Sequence, residues 1–248
     1  MNIEYLFPEI SGIFGDYANV KIIEKSVPNT NIYYTNLNDT PKFIFDDDID
    51  LVYMGSMTER SQLIVIERLR KYADEISNKI EAGQNFFVTG NAVDVFCKKI
   101  VDVGDFQLDE IGSPQVDCLG IFPIEIKRDM INRWSSLWVG DYNGIKLTGL
   151  KSQFTTADYV EDIMPLFRTI RGSGMTDSGD TTREGIKYKG FRATYCLGPI
   201  LIMNPIYLKT LIKEVGYEVD KTFAEDDFCE AYELRLEEYM NPKLKMRF

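Results

Sequence analysis

The segment Phe86–Asn91 has the residue types with which α/β enzymes present a nucleophile at the end of a strand. Its pattern predicts a buried strand, a tight turn at Gly90, and a helix over Ala92 to Ile100. The exposed position of the turn is held by Thr89, whose hydroxyl needs a base before it can attack a substrate. Because the chain contains no histidine, neither a Cys–His nor a Ser–His pair can operate within it.

Other side chains could in principle supply a base or a thiol. Glu59 or Asp94 could lie near Thr89, although carboxylates are common on helix surfaces. Cys196 could face the same cleft, but a small apolar role at a strand end is expected, and Cys97 is expected to point away from the turn. No C-x-x-C spacing occurs, so we expect reduced thiols and no metal site among Cys97, Cys118, Cys196 and Cys229.

Composition restricts the class of protein and its partners. Apolar residues make up 44% of the 248 residues and aromatic residues 12%, which is typical of a globular chain with a substantial core. The formal net charge of −11 argues against nucleic acid and against anionic membrane surfaces. No apolar run is long enough to span a membrane, and the first residues have the pattern of a strand rather than a signal peptide. We therefore expect a cytoplasmic protein.

The first hundred residues alternate between short apolar runs and helical periodicity, which is typical of an α/β fold with a mainly parallel central sheet. The predicted strands are Ile3–Phe7, Asn31–Tyr34, Asp50–Met54 and Asn85–Val88. The predicted helices between them are Tyr17–Ser26 and Glu59–Ala82. The acidic run at Asp46–Asp48 is expected to be a solvated loop, because consecutive side chains diverge.

The remaining chain changes character. Residues 104–200 have shorter runs, and Gly140–Gly144 has the composition of a hairpin turn. An amphipathic helix is predicted over Phe223–Met240, with an apolar side formed by Phe228, Ala231, Tyr232, Leu234 and Leu236. With no repeat and no evident linker, residues 1–248 are expected to form a single domain.

Four motifs, in order along the chain, resemble class I glutamine amidotransferases of the cobyric acid synthase type. Among these, the glutaminase subunits of lipid II isoglutaminyl synthases are the most similar. The motifs are Tyr5–Pro8 with Phe14–Asn19, the strand end Asp50–Ser56, the elbow Val88–Gly90, and the stretch from Gly172–Gly174 through Asp180 and Glu184 to Thr194–Leu201 and Asn204–Pro205. The resemblance implies a three-layer, flavodoxin-like class I amidotransferase fold.

The departures from the family concern its catalytic positions. Thr89 stands where the family has its nucleophilic cysteine, Leu197 where it has its basic histidine, and Gln153 where a further histidine is usual. The glycine cluster at the end of the second motif is reduced to Met54–Ser56. A threonine hydroxyl is too weakly acidic to replace the thiol without a base. The resemblance therefore implies the fold but not glutamine hydrolysis, and no catalytic residue is expected.

Two features could still bind a ligand or a partner. Backbone N–H groups after Gly90 are expected to face a residual pocket that could take a small amide or carboxylate. Its predicted residues are Gly55, Ser56, Thr89, Gly90 and Asn91. The loop Gly172–Gly179, flanked by Asp180 and Glu184, is expected to be either a flexible surface loop or a contact loop for a partner.

The functional expectation is a catalytically degenerate amidotransferase-like protein, with no cofactor, that acts as a binding or scaffolding subunit. The resemblance implies a Mur-ligase-like partner or another ATP-dependent amide-forming synthetase, in cell-wall or cobalamin-type amidation. The alternative is an active amidotransferase or hydrolase with altered chemistry, completed by residues of a partner. The pair Thr89 and Leu197 separates the two hypotheses.

Overall fold

The computed structural model describes residues 1–103, 115–158 and 163–248, so part of the region 104–200 lies outside the described residues. The strands within these ranges are β1 Asn2–Leu6, β2 Asn31–Thr35, β3 Leu51–Met54, β4 Asn85–Thr89, β5 Lys99–Asp102, β6 Gln115–Asp117, β7 Glu125–Arg128, β8 Trp134–Tyr142, β9 Ile145–Gln153, β10 Thr155–Asp158, β11 Phe167–Arg171, β12 Arg183–Glu184, β13 Ile186–Tyr188 and β14 Phe191–Thr194. The helices are α1 Tyr17–Ser26, α2 Glu59–Arg70, α3 Ala73–Glu81, α4 Ala92–Val95, α5 Ile200–Met203, α6 Pro205–Glu214 and α7 Glu225–Met240, and a 3-10 turn covers Lys42–Ile44.

A six-stranded sheet is the central element of the fold. Its strand order is β13-β14-β4-β3-β1-β2, and every neighbouring pair is parallel except β13 with β14. The four strands predicted from apolar runs are β1 to β4, and they lie side by side as expected. The prediction of an α/β fold with a parallel sheet is thereby confirmed.

Both faces of this sheet are buried, because alternate side chains of a strand point to opposite faces. Val52 and Val88 belong to one hydrophobic cluster, which α2 and α3 cover. Tyr53 and Phe87 belong to a second cluster, which α1 and α6 cover. This two-sided burial explains why the strands are continuous apolar runs rather than alternating ones.

Two four-stranded sheets complete the described chain, with orders β10-β7-β5-β6 and β12-β11-β8-β9. Strands β8 and β9 form a long hairpin in which Tyr142 pairs with Ile145. The two residues between them, Asn143 and Gly144, both have positive φ angles, 52° and 88°. These are the angles of the turn that suits the right-handed twist of a hairpin, and the predicted hairpin is confirmed.

Three helix predictions were wrong in their extent. The predicted helix Ala92 to Ile100 is only the one-turn α4, because Lys99–Asp102 instead pairs with Glu125–Arg128 as strand β5. The predicted helix Glu59–Ala82 is divided into α2 and α3 at Tyr72, which has φ −116° and donates its N–H to the carbonyl of Leu69. The apolar stripe nevertheless continues across the break, which is why the periodicity did not reveal it.

The carboxyl-terminal helix is the third helix whose predicted extent was wrong. It begins two residues later than predicted, at Glu225, and is less amphipathic than expected. Only Tyr232 is fully buried on it, while Ala231 and Leu234 are exposed. The Tyr232 hydroxyl donates to the carbonyl of Lys146 in β9, so the helix is attached to the third sheet through a polar contact as well as apolar ones. No helix of the described ranges is long and apolar enough to cross a membrane.

Candidate functional site

The elbow after β4 lies where three parallel strands of the central sheet end together. Thr89 is the last residue of β4, and in the ladders Val88 pairs with Met54 of β3 while Thr89 pairs with Thr194 of β14. Gly90 has φ +63° and donates its N–H to the carbonyl of Thr194 at 2.9 Å. Carboxyl ends of parallel strands are the usual location of ligand sites in open α/β sheets.

The hydroxyl of Thr89 is directed into a buried hydrogen-bond chain and is fully buried. It donates to Asp16 Oδ1 at 2.8 Å and lies 2.9 Å from the hydroxyl of Tyr53. Asn19 Nδ2 in turn donates to the Tyr53 hydroxyl at 3.0 Å. The Tyr53 hydroxyl also lies 3.3 Å from Asp16 Oδ1, to which it can donate. Burial and the negative charge of Asp16 raise the pKa of Tyr53 well above its ordinary value, so Tyr53 stays neutral.

Ser56 covers the elbow. Its hydroxyl lies 3.2 Å from Asp16 Oδ1, and a Cβ placed on Gly90 would lie only 2.2 Å from the Ser56 Oγ. A Cβ on Gly55 would likewise lie 2.6 Å from the Asp16 side chain. Both glycines are therefore required by close packing. The backbone of the elbow is covered by Ser56 rather than open to a substrate.

A pocket of about 300 Å³ lies next to this cluster. Leu197 and Gln153 both line it, together with Ser56 and Asn91 of the predicted residual pocket. The other lining residues are Ile13, Phe14, Met57, Thr58, Glu59, Arg133, Ser152 and Phe154. Thr89, at the elbow, is not among the lining residues. The structure thus brings Leu197 and Gln153 together at one pocket, whereas Thr89 does not line it.

Leu197 and Gln153, which stand where the resemblance implies histidines, offer no general base. Leu197 is an apolar side chain whose N–H donates to the carbonyl of Leu150 at 2.9 Å. Gln153 Nε2 donates to the carbonyl of Thr155 at 2.5 Å, and its Oε1 has no hydrogen-bond partner within the described chain. Burial raises the pKa of the Cys196 thiol, which makes it a poor nucleophile.

The charged groups on the pocket wall are the side chains of Arg133 and Glu59, whereas backbone N–H groups after Gly90 were expected to bind a ligand. Arg133 lies over the Phe154 ring, 5.5 Å from its centroid, and its Nε donates to Ser152 Oγ. Glu59 is at the first position of α2, a twelve-residue helix. The expected N–H groups after Gly90 belong instead to a helix of one turn, which has little dipole to offer an anion. A wider groove of about 580 Å³ on the outer side of α2 borders none of these residues.

Sequence reasoning missed Asp16 as the carboxylate that contacts Thr89. The sequence suggested Glu59 or Asp94 as a base near Thr89. In the structure Glu59 lies on the pocket wall, and Asp94 accepts hydrogen bonds from Tyr195 and Gln62. The available signal was the position of Asp16 in the second half of the first motif, directly before a helix. That position follows β1, whose carboxyl end lies beside that of β3, the neighbour of β4.

The loop Gly172–Gly179 is anchored rather than a free surface loop. Met175 and Thr176 within it are buried. The carbonyls of Ser173 and Gly174 accept hydrogen bonds from Lys151 Nζ at 3.0 and 2.7 Å. Its flanking Glu184 is fully buried, so the prediction of a flexible surface loop was wrong for this part of the loop.

Asp94 provides a test of the buried network beneath the pocket. Its carboxylate accepts from the Tyr195 hydroxyl and from Gln62 Nε2, and burial raises its pKa from 3.8 to about 7. The folded protein then holds this proton up to about pH 7, whereas the unfolded chain loses it near pH 3.8. The contribution of Asp94 to the free energy of unfolding therefore decreases as pH rises between these values, by up to about 4 kcal/mol.

We expect Asp94→Asn to remove this pH dependence. Chemical denaturation at pH 5 and pH 8 should show the wild type losing stability relative to the variant as pH rises. Asp48→Asn, at an exposed aspartate, is the matched control and should follow the wild type. Equal pH profiles for wild type and Asp94→Asn would contradict a protonated Asp94 in the folded protein.

Comparison with known proteins identifies the fold. No protein-family model and no curated protein match the chain. Forty-one chains of solved structures do. One, from the structure of PurLQS from Thermotoga maritima, has 12% identity and a TM-score of 0.54 over 95% of this chain and 98% of that one. Another, described as a glutamine amidotransferase, has 13% identity and a TM-score of 0.55 over 86% and 99%. The chain therefore has a glutamine amidotransferase-like fold.

Proposed function

We propose that this chain is a single-domain, catalytically degenerate member of the class I glutamine amidotransferases, with their three-layer flavodoxin-like fold. It acts in the cytoplasm as a binding or scaffolding subunit. The observation that carries the proposal is the state of Thr89, whose hydroxyl is fully buried and donates to Asp16, with Ser56 packed against the adjacent Gly90. A nucleophile must reach its substrate, and this hydroxyl reaches only other side chains.

The loss of acid–base groups supports the same proposal. Glutamine hydrolysis through a covalent intermediate needs a group that takes a proton from the nucleophile and later returns one to the leaving amine. Leu197 cannot carry a proton, and Gln153 is an amide already bonded to backbone. The loss concerns several positions at once, which indicates relaxed catalytic constraint rather than exchange of a single group.

The pocket is proposed to keep a binding role for a small amide or carboxylate. Arg133 can pair with a carboxylate, and the Asn91 amide and Ser56 hydroxyl lie on the same wall, where they already bond to the Met57 backbone and to Asp16. Ile13, Phe14 and other apolar side chains also line the pocket. Such a wall of apolar side chains with few polar groups is typical of small-molecule sites.

The proposed partner is a Mur-ligase-like enzyme or another ATP-dependent amide-forming synthetase. This rests on the resemblance of the sequence motifs, and the fold shared with a chain of PurLQS is consistent with a protein partner. The reaction class would be amidation of a carboxylate, of the cell-wall or cobalamin type. In that setting the chain contributes shape and binding, not ammonia.

The hydrogen bond between Thr89 and Asp16 favours one alternative. A carboxylate at 2.8 Å could act as a base toward the hydroxyl if a partner displaced Ser56 and opened the elbow. The chain would then be an amidotransferase-type hydrolase with altered chemistry, completed by its partner. The two functions differ in whether Thr89 is needed for turnover.

We expect the purified protein to release no ammonia from glutamine above background, and Thr89→Cys alone to stay at background. The thiol added by Thr89→Cys lacks an imidazole, and nucleophile and base act as a unit. The combination of Thr89→Cys and Leu197→His, with Ser56→Gly to uncover the elbow, is the variant in which activity could reappear. Ammonia release is measured with and without a candidate synthetase, and Thr89→Ser serves as the conservative control.

Ammonia release by the wild type that Thr89→Ala abolishes would overturn the proposal of a degenerate site. Release that occurs only with the partner, and disappears with Asp16→Asn, would establish the alternative. Unchanged background in all of these samples supports a binding subunit. Calorimetry with glutamine and with glutamate then tests whether the pocket binds either compound.

A further inference from the structure

The two edges of the central sheet differ in their protection. Strand β13 at one edge has three residues, its Lys187 N–H donates to the carbonyl of Met164, and Lys189 follows with φ 47°. Strand β2 at the other edge has five residues in unbroken register with β1. Its Tyr33 and Tyr34 are exposed. Natural sheets protect edges with short strands, charges, bulges or covering segments, and within the described residues the β2 edge has none of these.

The hydrogen bonds at the ends of β2 show which backbone groups face outward. Asn31 donates to the carbonyl of Met1, and Thr35 accepts from Phe7. In a parallel ladder, alternate residues direct both backbone groups to the same neighbour. Asn31, Tyr33 and Thr35 therefore bond to β1, and the N–H and C=O groups of Ile32 and Tyr34 point outward.

The charge distribution singles out the same edge. Residues 26–38 contain no charged side chain. The larger span 17–46 has three lysines and three acidic residues, so the whole net charge of −11 resides elsewhere. Two copies of a strongly acidic chain repel each other over most of their surface. Repulsion between two copies is therefore expected to be weaker at the β2 edge than at the acidic parts of the surface.

We propose that the β2 edge binds the β2 edge of a second copy of this chain, in antiparallel orientation, with the two-fold axis at Tyr33. In this register Ile32 of one copy lies opposite Tyr34 of the other, and the pair exchanges both of its backbone hydrogen bonds. The symmetry-related pair, Tyr34 opposite Ile32 of the second copy, also exchanges both of its backbone hydrogen bonds. All four outward groups on each copy are then satisfied, and the two sheets become one continuous sheet.

Side-chain pairing in this register is also favourable. Ile32 opposite Tyr34 is a β-branched residue opposite an aromatic one, a pair that stabilises neighbouring strands. Tyr33 meets Tyr33 of the second copy at the axis. A two-fold interface places the same patch on both copies, so a neutral strand with these side chains is complementary to itself.

Ion pairs lie beside the strand on both faces, Lys21–Glu24 and Lys42–Asp46, and beyond its end Glu9 accepts from the Leu37 N–H. On one face the Tyr17 ring stacks on Tyr34 with centroids 6.5 Å apart, next to the pair Lys21–Glu24. On the other face Lys42 lies over the Tyr33 ring at 4.9 Å. Mixed-sign pairs beside the strand can meet their symmetry copies without net repulsion. This interface does not depend on the function proposed for the pocket.

Sedimentation velocity over about 1 to 100 μM protein, a range set by typical weak homodimers, tests the interface. We expect the wild type to shift from monomer to twice its mass. Tyr33→Lys places two ammonium groups at the axis and should raise the dimer Kd at least about tenfold. The matched control is Tyr188→Lys at the opposite edge, where an exposed tyrosine likewise lies beneath a lysine, Lys189. It should dimerise like the wild type.

Hydrogen exchange gives a residue-specific readout that does not depend on the variants. The N–H groups of Ile32 and Tyr34 should exchange fast in dilute protein and become protected at high concentration. The N–H groups of Asn31 and Tyr33 already bond to β1 and should be protected at both concentrations. A wild type that stays monomeric, a dimer that Tyr188→Lys disrupts as much as Tyr33→Lys, or Ile32 and Tyr34 amides indifferent to concentration would each overturn the proposal.

Discussion

Lys151→Met is expected to destabilise the protein by about 3–5 kcal/mol, the range for breaking a buried ion pair from one side. Lys151 and Glu184 form a pair in which both side chains are completely buried. Lys151 Nζ also donates to the carbonyls of Ser173 and Gly174. Removal of the lysine leaves a buried carboxylate without its cation and two carbonyls without a donor.

Glu184 connects this pair to the strand that leads into the pocket. Its Oε1 accepts from Thr194 Oγ1 and from the Tyr195 N–H, each at 2.8 Å. Glu184→Gln is therefore expected to be strongly destabilising as well, because a buried ammonium then lacks its anion. The double variant Lys151→Met/Glu184→Gln should cost less than the sum of the single variants, since no unpaired charge is left.

Urea denaturation of the four proteins in this double-mutant cycle measures the effect. Lys98→Met is the control, because the pair Lys98–Glu125 is largely exposed and should contribute less than about 1 kcal/mol. Additive losses in the cycle, or a Lys151→Met loss no greater than that of Lys98→Met, would show that the buried pair is not formed as described.

Gly90→Ala is expected to destabilise the protein by about 2–4 kcal/mol, in the range of severe single substitutions. Part of the loss comes from φ +63°, where a Cβ costs about 1–2 kcal/mol. The rest comes from the overlap with Ser56 Oγ, 2.2 Å from the new Cβ. Gly83→Ala separates the two causes, because Gly83 has φ +93° but nothing within 4 Å of a Cβ, and it should lose only the backbone part.

The same substitution in a Ser56→Gly background should cost markedly less, because the serine side chain that the Cβ meets is gone. Thermal and urea denaturation of the single and double variants measure this rescue. Equal costs of Gly90→Ala with and without Ser56 would show that Ser56 does not cover the elbow. Since the proposal of a degenerate site depends on that cover, this result would weaken the proposed function too.

The amino-acid sequence by itself determined four of the six strands of the central sheet, β1 to β4. β1, β3 and β4 are short runs of apolar residues whose burial on both faces leaves a composition that can be recognised locally. β2 lies at the edge and was recognisable from its isoleucine and two tyrosines, which are typical of strands. The hairpin at Asn143 and Gly144 was predictable for a similar reason, because only a few residue types accept positive φ. The fold class followed from these local signals and from the order in which they occur.

Where the helices end was decided by contacts with residues that are distant in the sequence. Residues 96–100 have helical spacing, yet Lys99–Asp102 joins a second sheet beside Glu125–Arg128. Tyr72 interrupts a stripe that continues on both sides of it. In both cases a tertiary contact outweighs a local preference worth only a fraction of a kcal/mol per residue.

The same distinction applies to the candidate site. The residue types alone show that no cysteine stands at Thr89 and no histidine at Leu197 or Gln153. That Gln153 and Leu197 line one pocket is visible in the structure. Only the tertiary structure placed Asp16, 73 positions before Thr89, within 2.8 Å of its hydroxyl and laid Ser56 over Gly90. Periodicity reports which face of an element is buried, whereas a hydrogen bond between distant residues depends on how the chain returns on itself in three dimensions.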